Sequence, residues 1–219
     1  MKTKLYAIFN KWSETGTIWL YSDPHFGDVE HGITFRTISA DEQVKNINSK
    51  VGKKDTIIFL GDIGDVEYIK KIRGYKVLIK GNHDLGNSHY QRQIFARSIE
   101  HWGELKLLPD EYIKNNYIMY DNKLFDEVYE GPLFISKNIL LSHEPIDYPY
   151  AMNIHGHDHG NKYQRDDTHI NICAEFINFT PVSLDELMKN GNKAKDIHRD
   201  TIDKAIERKI EKVGKIWKI

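Results

Sequence analysis

The chain has 219 residues, enough for one domain with a sizeable core, and its 40% hydrophobic and 29% charged content marks it as globular rather than disordered. A net charge of -1 gives no global basic field to recruit nucleic acid, and the longest apolar runs are strand-sized, far too short to cross a membrane. The single cysteine, Cys173, rules out an internal disulfide and fits a cytoplasmic setting. The segment MKTKLYAIFNKWSE begins with positive charge but lacks an apolar stretch of signal-peptide length.

In chain order, the first expected element is a short apolar strand, TIWLYS (17–22). SADEQVKNINSKV (39–51) then opens with a capping box, Ser39 to Glu42, and sets Val44, Ile47 and Val51 on one helical face. TIIFL (56–60) is a second buried strand, DVEYIKKIRG (65–74) a short helix stopped by Gly74, and KVLIK (76–80) a third strand. Strands alternating with helices predict a parallel sheet with covering helices. After residue 110 the pattern turns to hairpin material: YIMY (117–120), DEVY (126–129), LFIS (133–136) and ILLS (139–142), with a turn at Lys137-Asn138. MNIHGH (152–157) and HINICAEF (169–176) are two further strands, the second enclosing Cys173 as a buried residue. SLDELMKN (183–190) repeats the capping-box signal with Ser183 and Glu186. Ile202, Ile206, Ile210 and Val213 recur at helical spacing in a basic tail that packs on the domain or serves as a homodimer contact. The predicted class is α/β: one domain over 1–219 with mixed sheets flanked by helices, a parallel half, an antiparallel half, and a helical tail from about 183 to 219.

The chemistry sits where strands end. Asp23-Pro24-His25 follows the first strand, Gly61-Asp62 the second, and Gly81-Asn82-His83-Asp84 the third. His143 follows NILLS, and His155, His157 and His159 follow MNI at alternate positions. In open α/β sheets, sites form beyond the carboxyl ends of strands, so these distant groups can converge. Crowded carboxylates and imidazoles are costly to desolvate, and a divalent metal removes that cost. The mixed ligand set suits Mn, Fe, Ni or Zn. There are more candidate ligands than one ion needs, which favours two ions sharing a carboxylate, about 3.5–4 Å apart as in two-metal hydrolytic sites. Singly, each group has a plainer explanation: Asp62 as a turn carboxylate or helix cap, Asn82 as a turn residue, His143 as a packed core histidine. It is the ordered set that points to metal.

The motifs SDPHFG, GD, GNHD, SHEP and GHDHG, in this order and each after a strand, resemble those of the calcineurin-like metallophosphoesterases. The resemblance runs from Thr17 to about Pro181, and NSKVGKKDTIIFLGD and FTPVSLDEL look like the small bacterial and phage members. It implies a phosphoesterase sandwich that hydrolyses a phosphomonoester or phosphodiester with a metal-bridging hydroxide and two divalent transition-metal ions, Mn first and Fe, Ni or Zn as alternatives. By resemblance, Asp23, His25, Asp62 and His159 hold one ion. Asp62 bridges to a second, held also by Asn82, His143 and His157. His83 acts as general acid or phosphate contact, oriented by Asp84. His157 and His159 alternate with Asp158, so extended backbone would aim both at neighbouring ions, with Gly156 and Gly160 admitting a close backbone approach. His155 has no place in that ligand set and is expected to make a hydrogen bond that orients a ligand. His31, His89, His101, His169 and His198 are expected to be surface or structural.

The sequence departs from the small relatives after FG, where Asp28 stands in place of a histidine. The segment GDVEHGITFR (27–36) would border the substrate, with Arg36 as a phosphate contact or else a surface ion-pair residue. The expected partner is a small phosphorylated substrate or nucleotide, without membrane or strong nucleic-acid signal. A non-catalytic metal-binding scaffold and a two-metal hydrolase of non-phosphate substrates are the competing functions.

Overall fold

The computed structural model describes residues 2–27, 38–84, 124–159 and 168–190. Arg36, Asp28, the YIMY segment, Gly160, the stripe at 202–213, and His31, His89, His101 and His198 lie outside these residues.

Two sheets pack face to face. The first has the order β4-β3-β2-β1-β9 and the second β5-β6-β7-β8. In the first, β1 (Ile18–Tyr21), β2 (Thr56–Phe59), β3 (Tyr75–Ile79) and β4 (Glu127–Tyr129) run parallel, and β9 (Val182–Ser183) pairs antiparallel with β1. Alternation along β2 explains the layering. Ile58 and Leu60 join Leu20, Val77 and Ile79 against Ile135, Leu141, Ile154 and Ile170 of the second sheet. Ile57 and Phe59 point the other way and pack with Val44 and Ile47 of α2 (Ala40–Lys50), the helix that follows the one-turn α1 (Lys11–Glu14). A strand covered on both faces reads as an unbroken apolar run, as TIIF does. The capping box holds: the Ser39 side chain accepts the Glu42 N–H at the start of α2.

The expected helix at 65–74 is a 3-10 helix over Val66–Lys71, capped by Asp65, and it ends before Gly74. The expected antiparallel half is only partly present. β5 (Leu133–Ser136) and β6 (Ile139–Leu141) form the hairpin across Lys137-Asn138, but β7 (Met152–His155) and β8 (His169–Asn171) continue the sheet in parallel. DEVY is not hairpin material either. It forms β4, the parallel edge beside β3, where Glu127 is fully buried. The Glu127 carboxylate accepts from Tyr75 Oη (2.7 Å), Tyr129 Oη (2.5 Å) and Trp12 Nε1 (3.2 Å), and pairs with Lys11. Burial works against its charge, but Lys11 and the two tyrosine hydroxyls hold its pKa below the usual glutamate value. Cys173 sits beyond β8, at the start of a 3-10 helix over Ala174–Ile177, and is fully buried as expected. Leu184 begins α3 (Leu184–Asn190), directly after Ser183 of β9, and is buried in the inter-sheet core. Among the described residues no helix is long and apolar enough to cross a membrane.

The parallel arrangement brings the carboxyl ends of β1, β2 and β3 to one edge, and the ends of β6 and β7 in the facing sheet reach the same edge. The candidate site lies there.

Candidate metal centre

Beyond β1 and β2 the two chains keep pairing although regular strand has ended. His25 N–H donates to Asp62 O (2.9 Å), Phe26 N–H to Ile63 O (2.8 Å), and Asp65 N–H to Phe26 O (2.7 Å). This path puts Asp23, His25 and Asp62 in left-handed backbone, with φ of 54°, 40° and 52°, and His157 joins them at 67°. Each such non-glycine residue is disfavoured by roughly 1–2 kcal/mol. Among the described residues Asn178 and Phe179 also have positive φ, but four of the six such non-glycine residues are candidate ligands, which is consistent with a functional site. Close approach is needed too. A Cβ on Gly61 would lie 2.5 Å from His143 Nδ1 and from Gly81 N, and one on Gly156 would lie 1.9 Å from Ser22 Oγ and 2.0 Å from Asp23 Oδ2.

Two groups of side chains at this edge could each hold a metal ion: Asp23, His25 and His159, and Asp62, His143 and His157. In the first, His159 Nε2 is 3.6 Å and His25 Nε2 is 4.0 Å from Asp23 Oδ1. In the second, His143 Nε2 lies 3.4 Å from Asp62 Oδ2, 2.8 Å from Asn82 Oδ1 and 3.1 Å from His157 Nδ1. Asp62 faces both groups, because the same Oδ2 is 3.7 Å from His25 Nε2.

The two oxygens of Asp23 differ. Oδ2 accepts from Ser22 Oγ (2.5 Å), the His157 N–H (2.9 Å) and Cys173 Sγ (3.4 Å). Oδ1 is buried with no hydrogen-bond partner, and burial pushes the Asp23 pKa up. A buried carboxylate oxygen left bare and facing two imidazoles fits a divalent cation, which would supply the missing charge. The imidazoles are presented to match. His143 Nδ1 lies 2.8 Å from Leu60 O, an acceptor, so Nδ1 carries a proton and Nε2 faces the cluster. His159 Nδ1 contacts the Glu175 carboxylate in the same way, leaving Nε2 toward Asp23. Burial opposes charge on His143, yet Asp62 and Asp23 hold its pKa up at about 9. Burial likewise opposes charge on Asp62, but the hydrogen bonds and charge of His143 keep its pKa below the usual aspartate value.

His83 stands at the mouth, about half exposed, with Nε2 4.0 Å from Asp62 Oδ2 and its ring beside that of His25. Its backbone N–H donates to Asp62 Oδ1 (3.0 Å). The expectation that Asp84 orients His83 is corrected. The Asp84 carboxylate accepts the backbone N–H groups of Asp62 (2.8 Å), Gly81 (2.9 Å) and Ile63 (3.2 Å), tying two ligand-bearing loops together. The three residues Asn82–Asp84 form a short 3-10 helix.

Extended backbone at His157 and His159 is corrected as well. β7 ends at His155, and left-handed His157 with an Asp158 N–H to Gly156 O bond (2.8 Å) makes a turn. The two histidines still reach different groups. His155 makes its hydrogen bond to the backbone, from Nδ1 to Gly156 O (2.9 Å), while its Nε2 is buried without a partner. Burial lowers its pKa to about 4, so it is neutral. His169 is structural: buried, with Nε2 3.2 Å from Ile146 O. Sequence reasoning missed Ser22, Glu175 and the contact of Cys173 with Asp23. Glu175 also lies with His159 and Cys173 in a third group of potential ligands.

No family model matches the chain. Over 205 residues it is 28% identical to an uncharacterized protein of Methanocaldococcus jannaschii, MJ1445, an alignment covering 88% of this chain and 93% of that protein. Among solved structures, nuclease MPE of Pseudomonas putida superposes with a TM-score of 0.35 and 18% identity over 65% of this chain and 60% of its own. The protein of unknown function AQ665 from Aquifex aeolicus superposes with a TM-score of 0.51 and 23% identity, covering 79% of this chain and 98% of its own, so this chain shares its fold.

Proposed function

We propose that the chain is a calcineurin-like metallophosphoesterase, a hydrolase of phosphomonoesters or phosphodiesters that uses two divalent transition-metal ions, Mn first among them. The observation that carries this reading is Asp62, whose Oδ2 faces His25 on one side and His143 on the other. One carboxylate between two ligand groups is what a two-ion site requires. Asp23, His25 and His159 would hold one ion, and Asn82, His143 and His157 the other, with Asp62 shared. Bound together, such ions supply an activated water and neutralise charge on the phosphate.

The chain's own residues do the rest. Leu60 O and Glu175 fix the imidazoles of His143 and His159 with Nε2 inward. Asp84 locks the Gly81 and Asp62 loops, so that Asn82 and Asp62 keep their spacing. His83, at the mouth, donates a proton to the leaving alkoxide, a role suited to an imidazole near neutral pH. Arg36 is a further phosphate contact, since a guanidinium matches phosphate oxygens.

The test is hydrolysis of p-nitrophenyl phosphate and bis(p-nitrophenyl) phosphate by protein loaded with Mn, Ni, Fe or Zn, against chelator-treated protein. Metal-dependent turnover of either ester is expected. No turnover with any of the four metals would contradict the proposal.

A further inference from the structure

We infer that Ser22 is a positioning residue, whose hydroxyl makes Asp23 meet its ion through Oδ1 alone and so keeps a coordination position open for a phosphate oxygen of the substrate. The inference rests on the phosphoesterase reading above.

The occupancy of one oxygen argues first. A carboxylate oxygen offers about two lone pairs. Asp23 Oδ2 already faces three donors: Ser22 Oγ at 2.5 Å, the His157 N–H at 2.9 Å and Cys173 Sγ at 3.4 Å. No lone pair is left there for a metal. Oδ1 is buried without a hydrogen bond, 3.6 Å from His159 Nε2 and 4.0 Å from His25 Nε2. A carboxylate free at both oxygens can hold an ion bidentately and fill two positions. Asp23, held at Oδ2, fills one, and catalytic metal sites depend on a position left open.

Among the three donors, Ser22 governs. His157 gives a backbone N–H, which every residue except proline carries. Cys173 gives a weak S–H donor at the longest distance. The Ser22 hydroxyl is nearest and has little room to turn. Ser22 is fully buried, and Gly156 packs so close that a Cβ there would lie 1.9 Å from Ser22 Oγ. Leu60 O is 2.8 Å from the same Oγ. The one hydroxyl proton goes to the carboxylate, the charged and nearer acceptor, while Leu60 O takes the His143 Nδ1–H at 2.8 Å.

Cobalt(II) reports this arrangement, because its visible absorption weakens as ligands are added to the ion. Cobalt-loaded Ser22→Ala should absorb less per ion than the parent, since Oδ2 is then free to coordinate. Its turnover of p-nitrophenyl phosphate should fall roughly 10- to 100-fold, the usual cost of losing a group that orients a metal ligand. Ser22→Cys, which keeps a weaker donor at the same place, should fall between the two. A parent-like spectrum in either variant would overturn the inference. So would stronger absorption per ion, which marks a ligand lost rather than gained. Both results leave the phosphoesterase reading standing if the parent hydrolyses the ester. A parent that binds no cobalt would overturn both.

Discussion

Replacing Gly156 with alanine should injure the protein far more than adding one methyl group suggests. The new Cβ would lie 1.9 Å from Ser22 Oγ, 2.0 Å from Asp23 Oδ2 and 2.8 Å from Ser22 Cβ. Both side chains are buried, so neither can swing into solvent. The end of β7 must move away from β1, and the His157 N–H to Asp23 bond of 2.9 Å breaks. Overpacking of this kind costs about 1–3 kcal/mol. Losing a hydrogen bond to a buried carboxylate costs roughly 1.5–3 kcal/mol more. The expected loss is therefore about 3–5 kcal/mol, a large part of the ~5–15 kcal/mol that holds a domain folded. Urea unfolding of the metal-free protein measures it, with Gly131→Ala as the control. That control adds the same methyl group where nothing lies within 4 Å, and should stay within about 0.5 kcal/mol of the parent. Equal midpoints for the two variants would refute the argument from close approach.

His83→Ala should leave the metals bound and lower kcat for an alkyl ester by about 10²–10⁴-fold, with a much smaller loss for a nitrophenyl ester whose leaving group hardly needs a proton. Equal losses would make His83 a positioning residue instead. Glu175→Gln should lower metal affinity or activity by roughly 10- to 100-fold, as expected when the carboxylate behind a ligating imidazole is weakened, and isothermal metal titration reads it directly. Glu127→Gln should destabilise the protein by roughly 1.5–3 kcal/mol at pH 7, because it removes the charge that the Tyr75 and Tyr129 hydroxyls and Lys11 bond in the native state. The folded-state pKa of Glu127 is lowered, so its stabilisation is complete above the ordinary value of 4.5 and is lost as pH falls through the lower folded value. Unfolding midpoints of parent and variant should accordingly converge in acid, and a gap that persists there would contradict the assignment.

Strands β1, β2 and β3 were legible because apolar runs such as TIIF mark strands buried on both faces, whereas the two-residue β9 was not predicted. The place of β4 was not legible. Its Asp126 and Glu127 look like solvent-facing residues, and only the approach of Lys11, Tyr75 and Tyr129 makes a buried glutamate tolerable there. The direction of β7 was also hidden. Apolar runs report burial and not polarity, and the 142–151 connection carries no helical pattern to announce a parallel return. The gathering of Asp23, His25 and His159, and of Asp62, His143 and His157, was legible because these residues follow strands whose carboxyl ends share one edge, while their division into two groups came from the resemblance. What shapes them could not be read. A left-handed aspartate or histidine leaves no mark in a sequence, so His157 looked extended. Asp84 looked like the partner of its neighbour His83, but backbone N–H groups, which every residue carries, claimed its oxygens. Glu175 stands 16 residues from His159 with no spacing rule to connect them.

The central claim is that Asp62 is shared between two ions. Metal content by plasma mass spectrometry, measured on parent and Asp62→Asn after equilibration with Mn, tests it most directly. The parent should carry about two ions per chain, and the variant should fall to one or none with loss of turnover, because the shared carboxylate serves both groups. Two ions retained by Asp62→Asn with normal turnover would contradict the account.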